Sequence, residues 1–143
     1  MALQDRPALR RIIYATTFEV GGVLMSTALL LLMADTSAGG SFVFSVLAST
    51  VAMLWNLGFN AIFEAWEARQ AVRGRSFARR TAHALLFEAG LVLMLLPLTA
   101  WWFSVSLLTA LAYEGVLILA FLVYTWAFTW AFDRLFGLPA SAR

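Results

Sequence analysis

The 143-residue sequence contains no cysteine, no lysine and only one histidine. The absence of cysteine excludes disulfides, thiolate chemistry and Cys-ligated metals, and a single histidine offers no convincing metal site. No Walker-type glycine loop is present, so ATP is not the energy source through this chain. The sequence therefore predicts neither an enzyme nor a cofactor.

Charge is also scarce: 13% of the residues are charged and 62% are hydrophobic, with a mean hydropathy of +0.83. A soluble domain carries about 25% charged residues, so this chain has too few polar groups to cover its apolar surface. We predict an integral membrane protein whose solvent is the lipid bilayer. The pI of about 9.7 does not indicate a nucleic-acid partner, because the basic residues are placed as topology signals.

Four apolar segments are long enough to cross a hydrocarbon core of roughly 30 Å, which takes about 20 helical residues. Ser41, after Gly39-Gly40, is the expected cap of the second helix, and Gly74 with Ser76 marks the start of the third. Pro97 should kink the third helix. The predicted helices cover about residues 12–34, 41–67, 78–103 and 107–133.

The arginines lie on one side of the predicted spans. They are Arg6, Arg10, Arg11, Arg69, Arg73, Arg75, Arg79, Arg80, Arg134 and Arg143. The connections Asp35–Gly40 and Ser104–Ser106 contain none. This bias predicts that both termini and the central loop are cytoplasmic.

Two motifs recur 69 residues apart without a gap. The first is Arg11-x-x-Tyr14-Ala15-x-x-Phe18-Glu19, which recurs as Arg80-x-x-His83-Ala84-x-x-Phe87-Glu88. The second is Trp55-Asn56-x-x-Phe59-Asn60-x-x-Phe63-Glu64, which recurs as Tyr124-Thr125-x-x-Phe128-Thr129-x-x-Phe132-Asp133. We therefore expect an all-α integral membrane protein in which two tandem helical hairpins, residues 1–72 and 73–143, share one orientation about an axis along the membrane normal.

Glu19 and Glu88 are the principal candidate site residues. Glu19 lies eight residues beyond Arg11, or about 12 Å deeper along a helix, which places it near the bilayer midplane. Loss of water at that depth disfavours the charged form of a carboxylate, and an arriving cation would displace the proton. Tyr14 lies on the same half of the helix and could hold an organic cation through its ring face. The alternative is a protonated glutamate that makes one interhelical hydrogen bond.

The second motif makes a polar stripe, Asn56, Asn60 and Glu64, with the aromatic side chains of Trp55 and Phe59 beside it. Hydrogen bonding and packing between helices is the simpler interpretation. Glu64 and Asp133 are expected to pair with arginines such as Arg11 and Arg80 at the cytoplasmic surface, or to gate the entrance there. The matching stripe in the fourth helix contains Thr125, Thr129 and Asp133, and Tyr124 matches Trp55 beside it.

Two further ionisable residues are less regular. Histidine is the side chain whose ordinary titration range lies near neutral pH, so His83 is interpreted as either a hydrogen-bonding anchor or a proton relay to Glu88. Glu114 has no acidic counterpart, since Ser45 occupies the matching position. Its carboxylate suits the N-terminal dipole of the fourth helix or an outward vestibule.

These four motifs resemble those of the proteobacterial antimicrobial compound efflux (PACE) family, which is built from two bacterial transmembrane pair domains. The resemblance spans nearly the whole chain. The first copy has Tyr14 where that family has histidine, Glu64 replaces its usual aspartate, and Thr129 stands where asparagine is common.

The resemblance implies proton-driven export of cationic biocides such as chlorhexidine, acridine dyes and quaternary ammonium compounds, and of short diamines, across the bacterial inner membrane. It assigns Glu19 as the main proton and substrate carboxylate. A homodimer is expected, because four helices offer little surface to enclose a drug. The alternatives are a small-multidrug-resistance-like exporter, a non-transporting membrane scaffold or accessory subunit, and a channel.

Overall fold

The computed structural model describes residues 5–72, 74 and 76–137. The described part of the chain forms four helices: α1 (Pro7–Met33), α2 (Ala38–Ala68), α3 (Phe77–Phe103) and α4 (Leu107–Phe136). Arg73, Arg75 and Arg143, which entered the topology argument, lie outside the described residues.

All four helices are long and apolar enough to cross a membrane. They contain 27, 31, 27 and 30 residues, and at about 1.5 Å per residue each is longer than a hydrocarbon core of roughly 30 Å. The predicted all-α, multi-pass membrane fold is confirmed.

Two helix starts differ from those predicted. α1 begins at Pro7, five residues before the predicted start, because proline is well suited to the first turn, where its missing N–H needs no partner. α2 begins at Ala38, so Gly39-Gly40 is helical and does not break the chain. The cap is Ser37, whose Oγ accepts a hydrogen bond from the Gly40 N–H at 3.0 Å. The prediction of Ser41 as the cap was wrong.

The start and interior of α3 follow the sequence signals. The Ser76 side chain accepts a hydrogen bond from the Arg79 N–H at 3.2 Å and caps the helix, and Gly74 has a φ of 84°, which favours glycine. Pro97 lies inside α3. Since proline has no N–H, the carbonyl four residues earlier, that of Leu93, loses its usual helical donor.

The chain divides into two compact units, each described by itself. Unit 1 comprises 1–42 and 115–143, so α1 packs with most of α4. Unit 2 comprises 43–114, so most of α2 packs with α3 and the start of α4. Each unit thus combines helices from both sequence repeats. The predicted repeat boundary between residues 72 and 73 stays a prediction.

Within each unit the arginines of the described residues lie at one end of the helices, which we call the arginine end. It is formed by the start of α1 with the end of α4 in unit 1, and by the end of α2 with the start of α3 in unit 2. The opposite end, where the connections 34–37 and 104–106 lie, is called the arginine-free end.

Candidate functional site: a duplicated helix contact beside two carboxylates

In unit 1, two hydrogen bonds of tyrosine hydroxyls join α1 to α4. The Tyr124 hydroxyl donates to the carbonyl oxygen of Phe18 at 2.9 Å, and the Tyr14 hydroxyl lies 2.9 Å from Oγ1 of Thr129. Both bonds lie in the part of α1 that carries the first sequence motif. The first bond is made to the residue immediately before Glu19, so it fixes the backbone from which that carboxylate projects.

Unit 2 makes the same two contacts with different side chains. The Trp55 indole N–H donates to the carbonyl oxygen of Phe87 at 3.0 Å, and Nε2 of His83 lies 2.8 Å from Oδ1 of Asn60. Each partner matches its counterpart in unit 1 by the 69-residue offset of the repeat. The duplicated motifs are therefore duplicated contacts, each made between one copy of the first motif and the other repeat's copy of the second.

Aromatic rings surround each polar contact in the same pattern. In unit 1 the ring of Tyr14 lies edge-on to Phe128 and Phe132, with centroids 5.3 and 5.0 Å away. In unit 2 the imidazole of His83 lies edge-on to Phe59 and Phe63, at 5.0 and 4.7 Å. Edge-to-face pairs of this kind stabilise packing beyond the area they bury, so the rings mainly hold the helices together.

Asn60 connects His83 to the rest of the polar stripe. Its Nδ2 donates to the carbonyl oxygen and to Oδ1 of Asn56, both at 2.9 Å. Its Oδ1 therefore faces His83 as an acceptor, and the proton of the imidazole lies on Nε2. This geometry supports the anchor interpretation of His83, while a relay to Glu88 stays a prediction.

A glycine two residues after each candidate glutamate admits the aromatic side chain of the facing helix. A Cβ added at Gly21 would collide with the hydroxyl of Tyr124, and one added at Gly90 would collide with the indole ring of Trp55. The close approach of backbone and ring is what allows the hydrogen bonds to the Phe18 and Phe87 carbonyls.

Glu19 and Glu88 themselves are exposed on the surface of the chain. Neither makes a hydrogen bond or ion pair with another described residue. The rings of Tyr14 and Phe18 pack against α4, so Glu19 lies beside this aromatic layer, one position further around the helix. Both carboxylates are at mid-helix: Glu19 is the thirteenth of the 27 residues of α1, and Glu88 is the twelfth of the 27 residues of α3.

An ion pair closes the arginine end of unit 1. Nη2 of Arg10 lies 2.6 Å from Oδ1 of Asp133 and also donates to the carbonyl oxygen of Gly137 at 2.9 Å. The guanidinium stacks over the ring of Phe132 at 5.1 Å. A cavity of about 250 Å³ lies next to the pair, lined by Arg10, Arg11, Tyr14, Thr129 and Asp133.

The matching residues of unit 2, Arg79 and Glu64, do not form this pair. Arg79 matches Arg10 in the repeat, but its guanidinium donates to the carbonyl oxygens of Gly74, at 2.7 Å, and Val72, at 3.4 Å. It lies over the ring of Trp66 at 5.4 Å. Glu64, which matches Asp133, is exposed, as is Arg80. Glu64 and Asp133 occupy matching positions in the two repeats, but their surroundings therefore differ.

Three features of the site were missed in the sequence. Gly21 and Gly90 recur at the repeat offset, which is the signal that would have found them. Arg10 makes the ion pair with Asp133 that was expected of residues such as Arg11. Which of two neighbouring arginines faces α4 depends on the rotation of α1 about its axis. Thr99 carries no motif signal, yet its hydroxyl donates to Glu114 at 3.2 Å.

The geometry defines a class: an α-helical, multi-pass membrane protein whose two-helix repeat carries a glutamate at the middle of a helix in each copy. The family model described as chlorhexidine efflux transporter (BTP) matches residues 6–69 and 75–138. The chain belongs to this family, the PACE transporters, and is an efflux transporter with two tandem repeats.

Curated relatives agree with the family. A protein of Acinetobacter baylyi named short-chain diamines transporter is 29% identical over 126 residues, covering 88% of this chain and 89% of the relative. A protein of the same name from Vibrio parahaemolyticus is 27% identical over 125 residues, covering 87% and 89%. A third, from Acinetobacter baumannii, is 29% identical over 136 residues, covering 88% and 87%. These relatives are transporters and not enzymes. No solved structure matches the chain.

Proposed function

We propose that this transporter exchanges protons for organic cations, with Glu19, and with Glu88 in the second repeat, as the groups that bind both. The observation that carries the proposal is that a carboxylate without an ion-pair partner recurs at the middle of two membrane-crossing helices. An ionisable group at that depth is costly and is a functional residue by default. The names of the family and of the curated relatives support chlorhexidine and short-chain diamines as cargo. Acridine dyes and quaternary ammonium compounds are proposed as further cargo because they are also organic cations.

The exchange follows from competition for one carboxylate. In hydrocarbon surroundings without a cation, the neutral, protonated form is favoured because the charged form loses its hydration. A bound ammonium or amidinium group stabilises the ionised form and releases the proton. Reprotonation from the acidic side of the membrane then displaces the cation, so an inward proton gradient drives export without any cofactor.

The Phe18 and Phe87 carbonyls keep the two glutamates in position. Because Tyr124 and Trp55 donate to the residue just before each glutamate, the carboxylates project from backbone that is fixed by the partner helix. The polar contacts of Tyr14 with Thr129, and of His83 with Asn60, lie one turn nearer the arginine end and hold the same helix pairs. These residues support the carboxylates by holding α1 against α4 and α2 against α3.

The arginine end is proposed to face the cytoplasm of a bacterial inner membrane, following the positive-inside rule. There Arg10 and Asp133 form a gate. Since Asp133 is neutralised by Arg10, the cavity beside them offers no free negative charge to a cation. Its volume of about 250 Å³ is also below the roughly 300–1,000 Å³ of drug-sized sites. Opening of the ion pair is therefore part of cargo entry.

The exposure of the two glutamates supports a homodimer as part of this proposal. An acidic residue that faces lipid at the middle of a helix costs about 2.5–3.5 kcal/mol on insertion scales. A second copy that covers Glu19 or Glu88 would remove that cost and would enclose cargo that a single chain leaves exposed. Crosslinking in native membranes tests this proposal, and full transport activity in liposomes that hold one chain each would contradict it.

The test of function is equilibrium binding of acriflavine to the purified protein at pH 6, 7 and 8, together with proton release measured in weak buffer. The variants are Glu19→Gln, Glu88→Gln and both together, with Asp35→Asn as a matched control that removes an exposed carboxylate outside the helices. We expect wild-type and Asp35→Asn affinity to rise with pH, and the double variant to lose both the pH dependence and proton release.

The single variants separate the two repeats. If Glu19→Gln alone abolishes the pH dependence and the proton release, the exchange belongs to the first repeat. If each single variant reduces both in part, the exchange belongs to both repeats. Binding that is independent of pH and equal in all variants would contradict proton–cation competition at these carboxylates.

A further inference from the structure

A third membrane carboxylate, Glu114, is buried where Glu19 and Glu88 are exposed. Only 5% of its surface and 1% of that of Thr99 remain accessible. Oε1 of Glu114 accepts a hydrogen bond from the Thr99 hydroxyl at 3.2 Å. Oε2 is buried without any hydrogen-bond partner among the described residues. All these atoms belong to unit 2.

Oε2 of Glu114 lacks a hydrogen-bond partner whether the carboxyl group is ionised or protonated. An ionised carboxylate accepts at both oxygens, and a protonated one must donate its O–H. In each case Oε2 lacks the partner that a buried polar group requires. A ligand with several N–H donors, such as a primary ammonium group, would satisfy Oε2 and could also donate to the hydroxyl oxygen of Thr99.

Helix electrostatics do not account for Glu114. It is the eighth residue of α4, about 10 Å from the helix start, and the stabilising effect of a helix N-terminus fades within the first turn. The repeat does not account for it either. The matching positions are Leu30 for Thr99 and Ser45 for Glu114, so only the second repeat has a buried carboxylate here.

Aromatic rings gather at the same end of unit 2. The ring of Phe103 packs against those of Phe44, at 4.9 Å, and Tyr113, the neighbour of Glu114, at 6.1 Å. Trp102 lies 5.9 Å from Phe44. Ring faces attract cations, and no arginine of the described residues lies at this end. The chemistry around Glu114 therefore favours a cation.

We propose that Thr99 and Glu114 form a second binding site, which takes an ammonium group of the cargo near the arginine-free end of the membrane. This site rests on the proposed function, in which the chain exports organic cations. Thr99 lies eleven residues beyond Glu88 on α3, about 16 Å along the helix axis. That separation is too long for one short diamine to contact Glu88 and Glu114 at once, so the second site receives cargo after it leaves Glu88.

The experiment measures cadaverine binding by calorimetry to full-length protein that carries Glu19→Gln and Glu88→Gln. We expect saturable residual binding in this background. Adding Glu114→Gln should weaken it by about tenfold or more, as for a lost buried charge contact, and Thr99→Val should weaken it less. Adding Asp35→Asn instead should leave it unchanged. Residual binding that survives Glu114→Gln would overturn the proposal.

The outcomes separate this site from the main exchange. A background variant that binds nothing, while wild type binds, refutes the second site and leaves the proposed function intact. A background that binds like wild type, and loses binding with Glu114→Gln, supports the second site and contradicts the assignment of Glu19 and Glu88.

A second measurement does not depend on the folding of a Glu114 variant. Dicyclohexylcarbodiimide, which modifies membrane-buried carboxyl groups, is applied to the background protein, and the Glu114 peptide is analysed by mass spectrometry. We expect an adduct at Glu114 whose yield falls when cadaverine is present. An adduct that forms equally with and without cadaverine, or a Glu114 that never reacts because nothing reaches it, would overturn the proposal.

Discussion

The ion pair between Arg10 and Asp133 can be weighed against a built-in control, because the repeat places Arg79 and Glu64 at the matching positions. In unit 1 the pair is short, at 2.6 Å, and its side chains are only 10% and 24% exposed. Removing one partner of a buried pair costs about 3–5 kcal/mol. We expect a loss of about 2–3 kcal/mol for Arg10→Ala or Asp133→Ala, since Asp133 keeps some contact with water.

The double-mutant cycle isolates the interaction itself. We expect the Arg10→Ala and Asp133→Ala losses to be non-additive by about 1.5–3 kcal/mol, which is the range for hydrogen bonds to charged groups. The cycle for Arg79→Ala and Glu64→Ala should be additive within about 0.3–0.5 kcal/mol, because Arg79 is directed towards the Gly74 carbonyl.

The assay is unfolding in mixed micelles by titration with dodecyl sulfate, followed by tryptophan fluorescence and circular dichroism. Wild type, single and double variants of both cycles are compared at the same detergent concentration. An additive result at Arg10 and Asp133, or equal coupling at the two matched positions, would refute the assignment of the ion pair to unit 1 alone.

Two further predictions concern the duplicated contact. Gly90→Ala places a Cβ in the indole ring of Trp55 and should destabilise the protein by about 1–3 kcal/mol, the usual cost of overpacking. Gly58→Ala, where no atom would lie within 4 Å of the added Cβ, should be neutral or slightly stabilising. The same dodecyl sulfate titration measures both variants. Equal effects of the two substitutions would contradict the close packing at Gly90. Tyr124→Phe removes the hydrogen bond to the Phe18 carbonyl and should lower the free energy of unfolding by about 0.6 kcal/mol, the mean for such bonds in a membrane. The same unfolding titration measures this change. An unchanged stability would show that this bond contributes nothing.

The number and class of the helices could be predicted because each span is apolar over more residues than a soluble helix requires. Helix ends were less certain. Ser76 marks the start of α3 as predicted. At α2 the Gly39-Gly40 pair wrongly indicated a break, whereas Ser37 caps the helix before it. Glycine is more frequent in membrane helices than in soluble ones, so it is a weaker boundary signal here.

The pairing of helices could not be predicted from hydropathy. In a soluble protein an apolar stripe shows which face is buried, whereas a membrane helix is apolar on all sides and lipid satisfies each of them. The motifs showed which positions matter but not their partners. Tyr14 and Thr129 come from different repeats, and a contact within one repeat would fit the sequence equally well. The exposure of Glu19 depends on that pairing, so it could not be predicted from the sequence either.

The exchange of partners between repeats has a consequence for how the protein is made. α1 is synthesised before the other three helices, yet the helix that bonds to it through Tyr124 and Asp133 is the last of the four in chain order. These contacts of the first hairpin therefore cannot form until α4 has been made. The same logic bears on ancestry: two identical hairpins that traded helices as separate chains would become a single protein when their genes fused, and each repeat would then be free to diverge, as Tyr14 and His83 have done.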